Sequence, residues 1–219
     1  MPNRRTFLTA TTAALAFAPT PALAAPPSRT RTAQDSLDAL LDGNRRYAAG
    51  RSRHPHEGRG VRHVLAAAQH PFAVVVGCID SRVPPELVFD QGLGDLLCIR
   101  TAGEVLDEAV LGSVQYGVEE LHVPLVLVLG HERCGAVAAA LDHVRTGEPA
   151  PGHLRRLVDA IAPAARACRD LPGDWAELTM RGNAVAVRDA LRADPDIGRA
   201  ARIVAGRFDL DSGVVTLLD

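Results

Sequence analysis

Aromatic side chains are scarce in this 219-residue chain: five Phe, two Tyr and a single tryptophan, Trp175. A platform that stacks nucleic-acid bases needs exposed rings at intervals, so that class of function is disfavoured from the outset. Charge of one sign is also missing as a block. Basic residues number 24 against 26 acidic ones, and no run of like charge is long enough to mark a polyanion-binding face or a solvated tail. Beyond the N-terminal region no segment reaches the ~18 consecutive apolar residues that a membrane-spanning helix requires. There is no internal repeat. No two of the four cysteines have Cys-x-x-Cys spacing, which counts against a thiol redox protein. What is present, with 47% of residues apolar, suffices for one compact soluble domain acting on a small molecule.

The first residues read as an address rather than as fold. Arg4 and Arg5, then Phe7 and Leu8, open an apolar and small-residue stretch from Ala10 to Ala18, and Ala22-Leu23-Ala24 offers a small-x-small cleavage site. This pattern predicts a signal peptide over 1–24 with a twin-arginine head, and export by the Tat route to the periplasm, cell envelope or exterior without a membrane anchor. A general secretory signal that happens to carry two arginines is the alternative, and it also exports. Residues 25–32 read as a flexible leader, and 33–219 as the folded domain.

Within the domain, Leu37, Leu40, Leu41 and Tyr47 fall near helical spacing, with Asp35 and Ser36 as start signals and Gly50 as a stop. A short helix is expected over Val61 to Gln69, ended by Pro71. The centre alternates strand and helix. Apolar runs at Phe72 to Val76, Leu96 to Ile99 and Leu125 to Leu129 predict strands buried on both faces, with helices over Glu108 to Leu121 and Ala136 to Val144. Further helices are expected at Leu154 to Ala167 and Ala184 to Arg192, then strands at Ala201 to Val204 and Val214 to Leu218 around an Asp211-Ser212-Gly213 turn. The alternation predicts an α/β fold, a mainly parallel sheet flanked by helices.

Chemistry gathers at the strand ends. Cys78 follows Gly77 after the first strand; His131 follows Gly130 after the third, with Cys134 three residues on. Ligands bind at the carboxyl ends of strands in open parallel sheets, so two loops can bring these side chains together. Two thiolates and an imidazole suit Zn²⁺ and leave one tetrahedral position open. On spacing alone, a Cys78–Cys134 disulfide in an exported protein, or two buried thiols beside a core histidine, are equal alternatives. His54, His56, His63 and His70 have no thiol partner and no common face, and read as solvated loop residues.

The residues around these positions resemble the β-carbonic anhydrase family. Cys78-Ile79-Asp80-Ser81-Arg82 is similar to its Cys-x-Asp-Ser-Arg segment, and Gly130-His131-Glu132-Arg133-Cys134-Gly135 to its Gly-His-x-x-Cys-Gly segment. Phe89 to Asp95 and Arg100-Thr101-Ala102-Gly103 continue the likeness, which spans Leu37 to Leu218. The resemblance implies one zinc per subunit, held by Cys78, His131 and Cys134, with Asp80 and Arg82 as a catalytic carboxylate-guanidinium pair. In a closed state Asp80 can become the fourth ligand. It implies reversible hydration of CO₂ to bicarbonate and a proton by a zinc-bound hydroxide. It also implies a homodimer or higher homo-oligomer, in which Gln69, Tyr116 and Leu97 serve the substrate pocket, the first two across a subunit interface. The N-terminal helix, as in the family, would extend as an arm with little of its own subunit to pack on. Leu97 stands where phenylalanine is usual, Cys98 where valine is usual, and Phe208 where tyrosine is usual. Cys98 and Cys168 lie outside the metal motif and read as buried free thiols. Hydrolysis of carbonyl sulfide or carbon disulfide on the same scaffold, or non-catalytic zinc binding, are the competing functions.

Overall fold

The computed structural model describes residues 31–219, so the expected signal peptide (1–24) and all but the last two residues of the leader lie outside the described residues. Five strands form one sheet: β1 (Ala73–Cys78), β2 (Leu96–Thr101), β3 (Leu125–His131), β4 (Arg202–Phe208) and β5 (Val215–Leu218), in the order β2-β1-β3-β4-β5. The first four run parallel, and β5 returns antiparallel to β4. Every residue of β1 and β3 is buried, which is what an uninterrupted Val/Leu run requires of a central strand.

Alternate residues feed two separate cores. Ala73, Val75, Leu125, Leu127 and Leu129 pack with Phe89 and Phe208 on one face, while Val74, Val76, Val126 and Val128 point to the other. The first face is covered by α1 (Ala33–Ala48), whose Leu37 and Leu40 are buried in it. The helix therefore lies on the body of its own chain and is not short of partners. Its start is set earlier than Asp35 and Ser36 suggest, by Thr32: the Thr32 hydroxyl accepts from the Asp35 N–H while the Asp35 carboxylate accepts from the Thr32 N–H. The helix α2 (Arg59–Leu65) buries no residue and ends four residues before Gln69, since without an apolar face nothing rewards further turns. A single turn, α3 (Pro85–Val88), follows the loop after β1.

The second face is covered by α4 (Glu108–Gln115) and α7 (Trp175–Ala193). The α4 helix is shorter than expected because a widened turn over Tyr116–Glu120 replaces its last part. Helix α7 starts nine residues before Ala184: Asp174 caps it by accepting from the N–H groups of Ala176 and Glu177. Helices α5 (Gly135–Thr146) and α6 (Leu154–Cys168) close the end of the sheet where β1 and β3 finish, and α8 (Ile197–Ala200) leads into β4. β1 and β3 each run two residues past their expected ends and take in Cys78 and His131, and two other strands differ from expectation in further ways. β2 is half-buried along its whole length because it is the sheet edge in a single chain. β4 runs on to Phe208, since pairing with β3 holds Gly206 and Arg207 in register although neither is a strand former.

Candidate metal centre

The chain leaves β1 for β2 on one side, while β3 lies on β1's other side, so the sheet has its switch point between β1 and β3. Cys78 is the last residue of β1 and His131 the last of β3; Cys134 immediately precedes α5. All three are buried, with ligand atoms within 4.8 Å of one another. The Cys78 and Cys134 sulfurs are 3.9 Å apart, and all four cysteines of the chain are free. A hydrogen bond from Cys134 draws the Cys78 thiol down to about 4 against the effect of burial, and that shared proton, with burial, pushes Cys134 up. The two sulfurs thus share one proton, and the pair gives it up in coupled steps.

His131 is oriented by its own backbone. Its Nδ1 lies 2.8 Å from the Glu132 carbonyl, an oxygen that can only accept, so the proton sits on Nδ1. Nε2 is left with a lone pair, fully buried and without a hydrogen-bond partner. An orphaned imidazole nitrogen beside two sulfurs that share a proton is a soft N/S donor set with an unmet need, and it fits Zn²⁺. A second grouping, Glu132, Asp209 and Asp211, is already neutralised: Arg207 pairs with Glu132 and Asp209, and Arg133 with Asp211.

Asp80 stands at the mouth of this cluster, with Oδ2 at 3.9 Å from His131 Nε2. Arg82 grips it twice, Nε to Oδ1 at 2.9 Å and a terminal nitrogen to Oδ2 at 2.6 Å. Those hydrogen bonds hold the Asp80 carboxyl well below the usual carboxylate range, so it is an acceptor at any working pH. The guanidinium also donates to the Arg133 carbonyl, tying the β1 loop to the loop that carries Cys134.

Several residues that hold this geometry have no role assigned by the sequence patterns. Arg100 on β2 donates to the carbonyls of Cys78 (2.8 Å) and Asp80 (2.6 Å), fixing how thiol and carboxylate diverge from one loop. Its signal was a cation inside an apolar strand. The Gly103 N–H points at the Cys78 sulfur at 3.4 Å, and Asn183 and Glu104 are buried beside it. No local pattern links these to Cys78.

The three substrate-pocket candidates are not joined to the cluster within one chain. Gln69 is exposed in the loop before β1, whereas Cys78 ends that strand, roughly 20 Å further on at about 3.3 Å per residue. Leu97 pairs with Val74, four positions before Cys78. Tyr116 is 53% exposed and shares a groove with Leu97, Cys98 and Ile99 along the β2 edge. His54, His56, His63 and His70 are exposed, as expected, and none belongs to the cluster. Cys168 is buried at the end of α6, and Cys98 is half-buried on β2.

Comparison with known proteins places this architecture. A family model described as carbonic anhydrase matches residues 73–214. Carbonic anhydrase 2 of Mycobacterium tuberculosis is 52% identical over 126 residues, covering 58% of this chain and 61% of that protein. The chain thus spans less than two thirds of that relative's length. The carbonic anhydrase of Mycolicibacterium smegmatis is 42% identical over 187 residues, covering 80% of this chain and 91% of the relative. In fold, the chain superposes on the β-carbonic anhydrase CcaA with a TM-score of 0.65 at 23% identity, covering 84% of this chain and 95% of that one. A tetrameric β-carbonic anhydrase of Sordaria macrospora gives 0.64 at 23% identity, covering 84% and 97%. With its sheet order, its buried Cys-His-Cys cluster and a family match across both motif segments, the chain belongs to the β-carbonic anhydrase family.

Proposed function

We propose that this protein catalyses the reversible hydration of CO₂ to bicarbonate and a proton, with Cys78, His131 and Cys134 holding one Zn²⁺ per subunit. The observation that carries the reading is the orphaned Nε2 of His131, set between two sulfurs and an arginine-paired aspartate. Zinc, when bound, supplies Lewis acidity that makes water nucleophilic near neutral pH. Asp80, kept ionised by Arg82, accepts a hydrogen bond from the attacking water at its carboxylate and so aims the oxygen lone pair at the carbon. Val105, Val137, Ile161 and Met180 pack around the two cysteines and keep bulk water from the rear of the cluster.

The pocket is completed, in this reading, by a second copy of the chain. The unpaired β2 edge and exposed Tyr116 support a homodimer or larger assembly in which Gln69 and Tyr116 serve a neighbour's site near Leu97. Export, supported by Arg4, Arg5 and the apolar stretch after them, would put the reaction outside the cytoplasm. No helix among the described residues is long and apolar enough to cross a membrane.

Metal analysis combined with stopped-flow CO₂ hydration tests the assignment. The purified protein should carry one zinc and turn over CO₂ in preference to carbonyl sulfide; Cys134→Ser should lose the metal, because serine offers no anion at neutral pH. Arg82→Ala should keep zinc and lose about 100-fold in activity. Zinc retained without turnover would mark a binding protein, and faster turnover of carbonyl sulfide a hydrolase.

A further inference from the structure

Two unfavourable features sit next to each other behind the metal cluster. Glu104 is 1% exposed, and its Oε1 has no hydrogen-bond partner. Its backbone is left-handed, φ +55°, a region that side chains other than glycine and asparagine seldom occupy. Each of these costs on the order of 1–3 kcal/mol, and such costs persist where the surroundings over-determine the geometry. The residue before it is Gly103, also left-handed at φ +67°, where an added Cβ would come within 2.5 Å of the Ile161 side chain. The two consecutive left-handed residues turn the chain so that the Gly103 peptide lies against the cluster. On that segment the Gly103 N–H donates to the Cys78 sulfur at 3.4 Å, and the Gly103 carbonyl accepts from Asn183 Nδ2 at 2.9 Å. Asn183, buried on α7, reaches Glu104 Oε2 with the same nitrogen at 3.4 Å.

We propose that Asn183 and Glu104 are positioning residues that aim the Gly103 N–H at the Cys78 sulfur and thereby set how much charge that thiolate donates to the metal. The inference rests on the zinc reading above. Two thiolates would neutralise a divalent cation, leaving it a weak acid toward water; an N–H held on one sulfur withdraws part of that charge and restores electrophilicity.

Cobalt(II) substituted for zinc reports on the sulfur directly through its sulfur-to-metal charge-transfer band. Asn183→Leu removes the donor that pins the Gly103 carbonyl, and the band should move to longer wavelength while zinc affinity, measured against a chromophoric chelator, falls about 10- to 100-fold. Glu104→Gln keeps an acceptor of the same size for Asn183 and should leave the band in place. Asn183→Ser, a smaller change, provides the same test if the leucine variant does not fold. A folded Asn183 variant with the parental band, or a Glu104→Gln variant shifted as far as Asn183→Leu, would overturn the proposal. A parent protein that shows no such band with cobalt would instead refute the metal centre on which it stands.

Discussion

At the scale of single residues, the Cys78, His131 and Cys134 cluster was legible because its chemistry is local. A thiol or imidazole placed directly after a glycine at the end of an apolar strand lies where an open parallel sheet binds its ligands. The supporting groups were not legible, since Asn183 reaches Gly103 across 80 positions and only the folded chain brings them together. Glu104 shows what such burial does to stability. Its carboxyl is held neutral by desolvation, above its ordinary value near 4.5. Above that pH the unfolded chain releases the proton that the folded chain keeps, so the folded state loses stability as pH rises, by at most about 1.4 kcal/mol per unit, until the folded group itself ionises. Glu104→Gln has no proton to keep. Urea denaturation of the two proteins should therefore give matching stabilities near pH 4 and a more stable glutamine variant at pH 7. Equal stabilities at both pH values would mean that the acid is not held neutral.

At the scale of elements, apolar periodicity located nearly every helix and strand but misplaced those whose limits depend on neighbours. The α4 pattern continues to Leu121, yet the backbone widens at Tyr116, where Gly117 lies close against Leu97 and Val74. The β2 run reads as doubly buried although one chain leaves it at an edge; an apolar run records burial in whatever assembly forms, not in the monomer. The first half of α7 was hidden by Thr179, Gly182 and Asn183, poor helix formers that packing overrides. Helix α1 carries a sharper requirement. Asn44 donates to the carbonyls of Val88 and Gly213 and accepts from the Val215 N–H, and a Cβ on the preceding Gly43 would fall 1.7 Å from the Phe89 carbonyl oxygen. Gly43→Ala should then cost about 1–3 kcal/mol in thermal or urea unfolding, because α1 must lift off the loop after α3. An alanine variant as stable as its parent would show that this approach is not tight.

For the whole molecule, the proposed self-association would rest on the β2 edge and the groove beside it, because α1 is satisfied within its own chain. Light scattering on residues 25–219 should give at least twice the chain mass at micromolar concentration, and Tyr116→Glu should reduce it to the monomer with the circular dichroism spectrum unchanged. A monomeric parent would remove the reason for assigning Gln69 to a neighbour. The site has a further consequence for how the chain holds itself closed. Cys78 and Cys134 are 56 positions apart, on either side of the edge strand and α4. An ion bound to both is a reversible cross-link around that whole excursion, and the chain entropy it removes from the unfolded ensemble is about 4 kcal/mol if it is treated like a covalent bridge of the same span. The cation proposed to serve catalysis would then also be a fastener for β1, β2, α4 and β3, and metal supply would set the lifetime of the fold as well as the rate of the reaction.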